Sequence, residues 1–396
     1  MSNSIKKLQC LEGTNSLYVE LSESGYVTNP CCYYKAEVSG DSPTVNNIEE
    51  LLSNPTIEAL REKFKDDWKS PSCITCVRNE ELGEISLRMY SLMNGYGKKI
   101  FLNGEVYEGN WANGNMNGYD GVVRKWDIRP GNTCNLKCAM CCLKSSSKWV
   151  EDIDILKKYG NEYNTNYNKG DFDFGHKRED LDFDWIYSQC VDTAGFIYIA
   201  GGEPFYMKNV YNFLNKLSKH EWNCNNTTIQ TVTNGVSNTP KMLDILSKFK
   251  KVEFCVSIDG WEKVNEIIRF PTNHNEFVKN TDELMQLNPQ HIYFNITVQC
   301  MNLPNIDELV SNIKDRWIVE RYELFNLQMP RQLSINNLKP QVIERVLETT
   351  KLPKLKKFCS EYKYDENLNK TMQNYLLDLD KKRQTNSKEV LGWCFE

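Results

Sequence analysis

The chain has 396 residues, 40% hydrophobic and 26% charged, the proportions of a water-soluble globular protein with room for two domains. A formal net charge of −5 gives no overall attraction to nucleic acid, and no apolar run approaches the roughly 18 residues of a membrane span. No apolar stretch follows the first lysines, so no secretory signal and a cytoplasmic location are expected.

In the first region, 1–108, residues 17–21 alternate like a strand and Ser22 to Gly25 reads as a hairpin turn. Over 47–65, Ile48, Leu51, Leu52, Ile57, Leu60 and Phe64 are spaced to share one helical face, and a second helix is expected up to Tyr90. Residues 109–121, rich in Gly and Asn, read as a linker. From 122 to 335, strand-like runs at 122–128, 196–200, 228–233, 252–258, 292–298 and 321–328 alternate with helical ones at 207–217, 240–249 and 275–287. That alternation predicts βαβ units and an α/β fold with a parallel sheet or barrel. The polar stretch 159–184 reads as a long loop over one end of it, and 336–396 as a helical segment with Leu376, Leu377 and Leu379 near its end. Packing onto the chain's own core is the expected role of that segment. The basic cluster Lys354, Lys356 and Lys357 reads as a solvated helix face.

Fifteen cysteines, an odd number in a long chain, do not describe a secreted disulfide scaffold. Reduced thiols point to metal, cluster or catalysis, and spacing decides which. Cys134-x3-Cys138-x2-Cys141 directly follows the first strand of the α/β region. Three thiolates can hold three irons of a [4Fe–4S] cubane and leave the fourth open to a substrate's amino and carboxylate groups. A zinc site wants four ligands, and Cys142 is poorly placed to be the fourth; zinc and plain packing of buried cysteines are the alternatives. Ala200-Gly201-Gly202-Glu203-Pro204 ends the next strand, where two glycines permit close backbone approach and an acid can pair with an ammonium. Asn234 ends the third, and Ser257 and Asp259 the fourth, followed by Arg269. Strand ends share one mouth in such folds.

The run Cys134-Asn-Leu-Lys-Cys138-Ala-Met-Cys141 resembles the signature of the radical S-adenosylmethionine superfamily, with Met140 where that family often has an aromatic residue. The resemblance implies a partial (β/α)6 barrel with the cluster loop after its first strand. It also implies that Gly201, Gly202, Glu203, Asn234, Ser257, Asp259 and Arg269 contact S-adenosylmethionine.

Outside the barrel, Cys73-x2-Cys76 has the spacing of a bidentate metal knuckle, and Cys31-Cys32 and Cys10 offer further thiolates. The run from Cys73 through Glu80, Gly83 and Ser86 to Arg88 resembles that of twitch-domain radical enzymes, several of them carried by bacteriophages. This implies a small N-terminal α+β module of the twitch or SPASM-like kind holding an auxiliary Fe–S cluster. Cys10, Cys31, Cys73 and Cys76 are its expected ligands, with Cys32 as a substitute and zinc as the alternative occupant. The expected function is radical chemistry of oxidoreductase type on a peptide or protein side chain, with electrons from a flavodoxin- or ferredoxin-like reductant. A small-molecule radical dehydrogenase or isomerase, and a metal-stabilised binding protein without catalysis, are the alternatives.

Overall fold

The computed structural model describes residues 10, 13, 16–22, 25–29, 31, 44–66, 73–81, 86–89, 122–160, 181–317, 319 and 321–396. They fold as two compact units. The first takes in Met1–Gly131, Arg178–Thr231 and Pro240–Glu253, the second Asn132–Lys177, Val232–Thr239 and Phe254–Glu396.

In the first unit, β1 (Ser16–Ser22) and β2 (Gly25–Asn29) form the expected antiparallel hairpin, with Ser22 opposite Gly25. The short β3 (Thr44–Val45) pairs antiparallel with β2. β1 also pairs in parallel with β4 (Lys125–Arg129), which pairs with β5 (Phe196–Ile199), and β5 with β6 (Thr228–Thr233). The N-terminal hairpin therefore extends the parallel sheet instead of making one of its own. Almost every residue of β4, β5 and β6 is buried, as expected where both faces of a parallel sheet are covered. In the same unit the helix Lys208–Leu217 buries Val210, Phe213, Leu214 and Leu217 at helical spacing.

The helix expected over 47–65 is broken in two: a 3-10 turn, Ile48–Leu51, and a helix, Pro55–Asp66. Pro55 has no N–H for an interior turn but suits a first helical position, and the Asn54 side chain accepts the Thr56 N–H at 2.9 Å. The following helix is Ile74–Glu81, while 82–85 and Tyr90 lie outside the described residues. So do the whole 109–121 linker and residues 161–180 of the expected long loop. The stretch expected to be irregular up to Asp184 is helical from Phe183, because Asp182 caps a helix, Phe183–Cys190.

The second unit contains β7 (Lys251–Ser257) from Phe254 onward, β8 (His291–Val298) and β9 (Tyr322–Asn326). β8 and β9 run parallel, and the Ile258 N–H just after β7 donates to Asn295 of β8 at 3.0 Å. The helices His274–Gln286 and Ile306–Trp317 bury Phe277, Leu284, Ile306, Val310 and Ile313. The C-terminal helix Glu366–Arg383 starts at an Asp365 cap and stops at Gln384 in the left-handed conformation. Its Leu376 and Leu379 are buried, as expected of core packing, whereas Leu377 is exposed. Among the described residues no helix is long and apolar enough to cross a membrane.

Candidate functional site

After β4 the chain enters an irregular segment carrying Cys134, Cys138 and Cys141. With no ladder to join, its backbone groups are satisfied one at a time. The N–H groups of Lys137 and Ala139 donate to the carbonyls of Phe270 and Ile268 at 2.8 and 2.7 Å, gripping the backbone on both sides of Cys138. The carbonyl of Cys138 accepts the Trp149 indole N–H at 3.1 Å, and that of Leu136 accepts the Ser146 hydroxyl. These hydrogen bonds fix the course of the loop.

The three thiols converge. The Cys141 thiol donates to the Cys138 sulfur, which holds Cys138 below its ordinary value of 9.0 despite burial, with the Arg269 charge assisting. The same bond, together with burial and the neighbouring Cys138 and Cys134, pushes Cys141 well up. The Cys134 sulfur accepts the Leu136 N–H at 3.4 Å and lies 3.9 Å from the side-chain nitrogen of Asn234. Among the described residues no three His, Cys, Asp or Glu side chains surround one point as ligands of a single metal ion do. By donor type, three thiolates match what a cubane takes, one to each of three irons.

Beside the thiols, Asp259 is completely buried, with one carboxylate oxygen accepting the Thr297 N–H at 2.6 Å and the other 2.7 Å from Nε of Arg269. That second contact is an ion pair without hydrogen-bond alignment. Burial pushes the Asp259 carboxyl up even though Arg269 and the Thr297 N–H favour its anion. Burial alone would lower Arg269, but Asp259 and the thiols of Cys138 and Cys141 outweigh it and raise the guanidinium. Asn234, at the end of β6, donates to Asn135 at 2.7 Å and accepts the Val236 N–H, which ties two loops of this unit together. Ser257, the last residue of β7, is half-buried.

Gly201, Gly202 and Glu203 belong to the first unit, directly after β5. Gly201 has φ +121°, and a Cβ there would meet the Gly131 carbonyl oxygen at 3.3 Å, so the backbone course requires glycine. Glu203 is fully buried, and one of its oxygens caps the turn Pro204–Tyr206 by accepting the Phe205 N–H at 3.1 Å. Of the N-terminal thiols, Cys10 and Cys31 are buried and Cys73 and Cys76 half-buried, while Cys32 lies outside the described residues.

Several side chains that shape this site carry no pattern in the sequence. Asn135 looks like a spacer between two cysteines. Asn265, six residues further on, accepts the Asp259 N–H at 3.0 Å, and Asn302, from a distant segment, donates to its carbonyl at 2.9 Å. Lys137 and Asp152, a buried pair at 2.8 Å, could have been suspected only from a lysine placed between two thiols.

Residues 128–311, just under half of the chain, match the sequence model of the Radical SAM superfamily. No curated protein matches it significantly in sequence. Among solved structures, polyhistidine-tagged anSMEcpe with bound AdoMet aligns at TM-score 0.39 and 15% identity, over 56% of this chain and 55% of that one. Streptococcus suis SuiB bound to S-adenosylmethionine aligns at TM-score 0.34 and 14% identity, over 93% of this chain and 69% of that one. The alignment thus spans little more than half the length of the first of these proteins.

Proposed function

We propose that this chain, with its Radical SAM superfamily domain at residues 128–311, is an enzyme that binds a [4Fe–4S] cluster through Cys134, Cys138 and Cys141 and binds S-adenosylmethionine. The observation that carries the reading is that the three thiols lie near enough to influence one another on a loop held by backbone hydrogen bonds, beside the Arg269–Asp259 pair. When bound, the cluster supplies the electron that splits S-adenosylmethionine into methionine and a 5′-deoxyadenosyl radical, which takes hydrogen from a substrate.

The chain's own contribution is binding and orientation. Cys134, Cys138 and Cys141 would hold three irons of the cluster, and the loop's backbone hydrogen bonds would keep the thiolates from rearranging. Arg269 suits a carboxylate, and Asp259 keeps its guanidinium in one place. Gly201, Gly202, Glu203, Asn234 and Ser257 are the further proposed contacts to S-adenosylmethionine. The division into an N-terminal cysteine module at 1–108, a linker, a barrel at 122–335 and a C-terminal segment belongs to the same proposal. So does an auxiliary cluster on Cys10, Cys31, Cys73 and Cys76, or Cys32, with zinc as its competitor. The resemblance of the Cys73 to Arg88 run to twitch-domain radical enzymes favours a peptide or protein side chain as substrate and an oxidation as the net reaction.

The test is anaerobic reconstitution followed by dithionite and S-adenosylmethionine. The expected product is 5′-deoxyadenosine, lost in Cys138→Ala; its absence from the wild type would sink the enzymatic reading and leave a metal-stabilised binding protein. About four irons per chain, accompanied by zinc, would refute the auxiliary cluster, and about eight would support it.

A further inference from the structure

The C-terminal helix Glu366–Arg383 lies beyond the span that matches the superfamily, and two of its side chains reach back to the cysteine loop. Tyr375 and Arg383 are eight residues apart, slightly over two helical turns, so they fall on one face, together with buried Met372, Leu376 and Leu379. The Tyr375 hydroxyl donates to the carbonyl of Ala139 at 2.7 Å, one residue past Cys138, and is itself fully buried. The carbonyl and amide of Ala139 are thus held from two different parts of the chain, Tyr375 and Ile268.

Arg383 makes a different contact. Its Nε donates to Asp152 at 2.9 Å, and the other oxygen of Asp152 accepts Lys137, immediately before Cys138, at 2.8 Å. The guanidinium side chain is 1% exposed and lies over the rings of Trp149 and Phe270, and its Nη1 and Nη2 have no hydrogen-bond acceptor among the described residues. Two buried cations therefore share one buried carboxylate. Glu151, the other anion near Lys137, is half-exposed and shared with Lys148, so it offsets little of the excess. A buried net positive charge is costly unless something negative lies beside it. A cubane on three thiolates is an anion, and it gains one further negative charge on reduction.

We propose that the C-terminal helix clamps the three-cysteine loop, and that Arg383 is a positioning residue whose buried charge sets how readily a cluster on that loop accepts an electron. This rests on the cluster reading given above. Net charge near a cluster is one of the protein's levers on its potential, and a cation favours the reduced, more negative form.

The experiment compares reconstituted wild type, Arg383→Gln, Arg383→Lys, Tyr375→Phe and Cys138→Ala. Circular dichroism checks the fold, and reductive titration followed by electron paramagnetic resonance gives the midpoint. Arg383→Gln is expected to titrate at a more negative potential, with at least a tenfold smaller reduced-to-oxidised ratio at the wild-type midpoint, about 59 mV for one electron. Arg383→Lys, which restores the charge, should stay within about threefold of wild type (about 28 mV). A glutamine variant that titrates with wild type, or a lysine variant that shifts as far as glutamine, would overturn the electrostatic role. Tyr375→Phe keeps the ring and is expected to release iron to a chelator severalfold faster; unchanged release would overturn the clamp, including where Arg383→Gln does not fold. Failure of the underlying reading looks different, since the wild type would then bind no more iron than Cys138→Ala.

Discussion

Asp259→Asn isolates the charge of one buried carboxylate while keeping its shape. Asparagine can still accept the Thr297 N–H, but Arg269, with a side chain only 11% exposed, loses the anion 2.7 Å away. At an effective dielectric of about 20 the Coulomb attraction at that separation is about 6 kcal/mol, part of it cancelled by the desolvation both groups already bear. Breaking a buried pair on one side typically costs about 3–5 kcal/mol, because the remaining charge cannot leave. The mirror variant, Arg269→Met, should cost less and become milder from pH 8 to pH 5, since burial already raises Asp259 and a proton can neutralise it. The double variant removes both charges and should be less destabilised than the sum of the singles by about 2 kcal/mol or more. Urea unfolding of the metal-free chain, followed by tryptophan fluorescence at both pH values, gives these numbers. Single effects that add up in the double variant to within about 0.5 kcal/mol would refute the coupling.

Gly235→Ala tests packing beneath the Asn234 turn: the residue has φ +73°, and a Cβ would come within 2.7 Å of the Phe277 ring. Left-handed backbone costs an alanine about 1–2 kcal/mol and moving a packed ring about 1–3 more. Adding Phe277→Leu should recover part of the loss in thermal unfolding, and equal losses would remove the clash from the explanation. Cys255 tests a pH dependence, because burial pushes its thiol from 9.0 to about 12. The stability from keeping this thiol neutral is therefore fully present below pH 9 and is lost as pH rises through about 12. Between those limits the loss is about 1.4 kcal/mol per pH unit, and Cys255→Ala should flatten the alkaline limb of the stability curve by that slope. Parallel limbs would count against the assignment.

Local pattern was enough to read the strands. Six runs rich in β-branched and aromatic residues became β4 to β9 with their ends displaced by a few residues, because such side chains suit the extended, pleated backbone. The thiol loop was legible for another reason: the spacing of its cysteines is written in consecutive residues, and so is the Gly201-Gly202 turn. Pattern misled where one residue overrides periodicity. The apolar face over 47–65 continues through Pro55, yet the missing N–H divides the helix there.

Other features have no local signature at all. The pairing of β1 with β4 joins segments about a hundred residues apart, and nothing within either run specifies the partner. The same holds for Asn302 beneath Asp259, and for Tyr375 and Arg383 against the cysteine loop. A hydrogen bond across more than 200 residues depends on where two elements come to lie. The sequence by itself therefore determined the α/β alternation, the three-thiol loop and the glycine turn, since backbone sterics, side-chain period and ligand spacing act over a few residues. The tertiary structure decided which charges face the thiols and which helix holds their loop, because burial and Coulomb energy depend on distance in space.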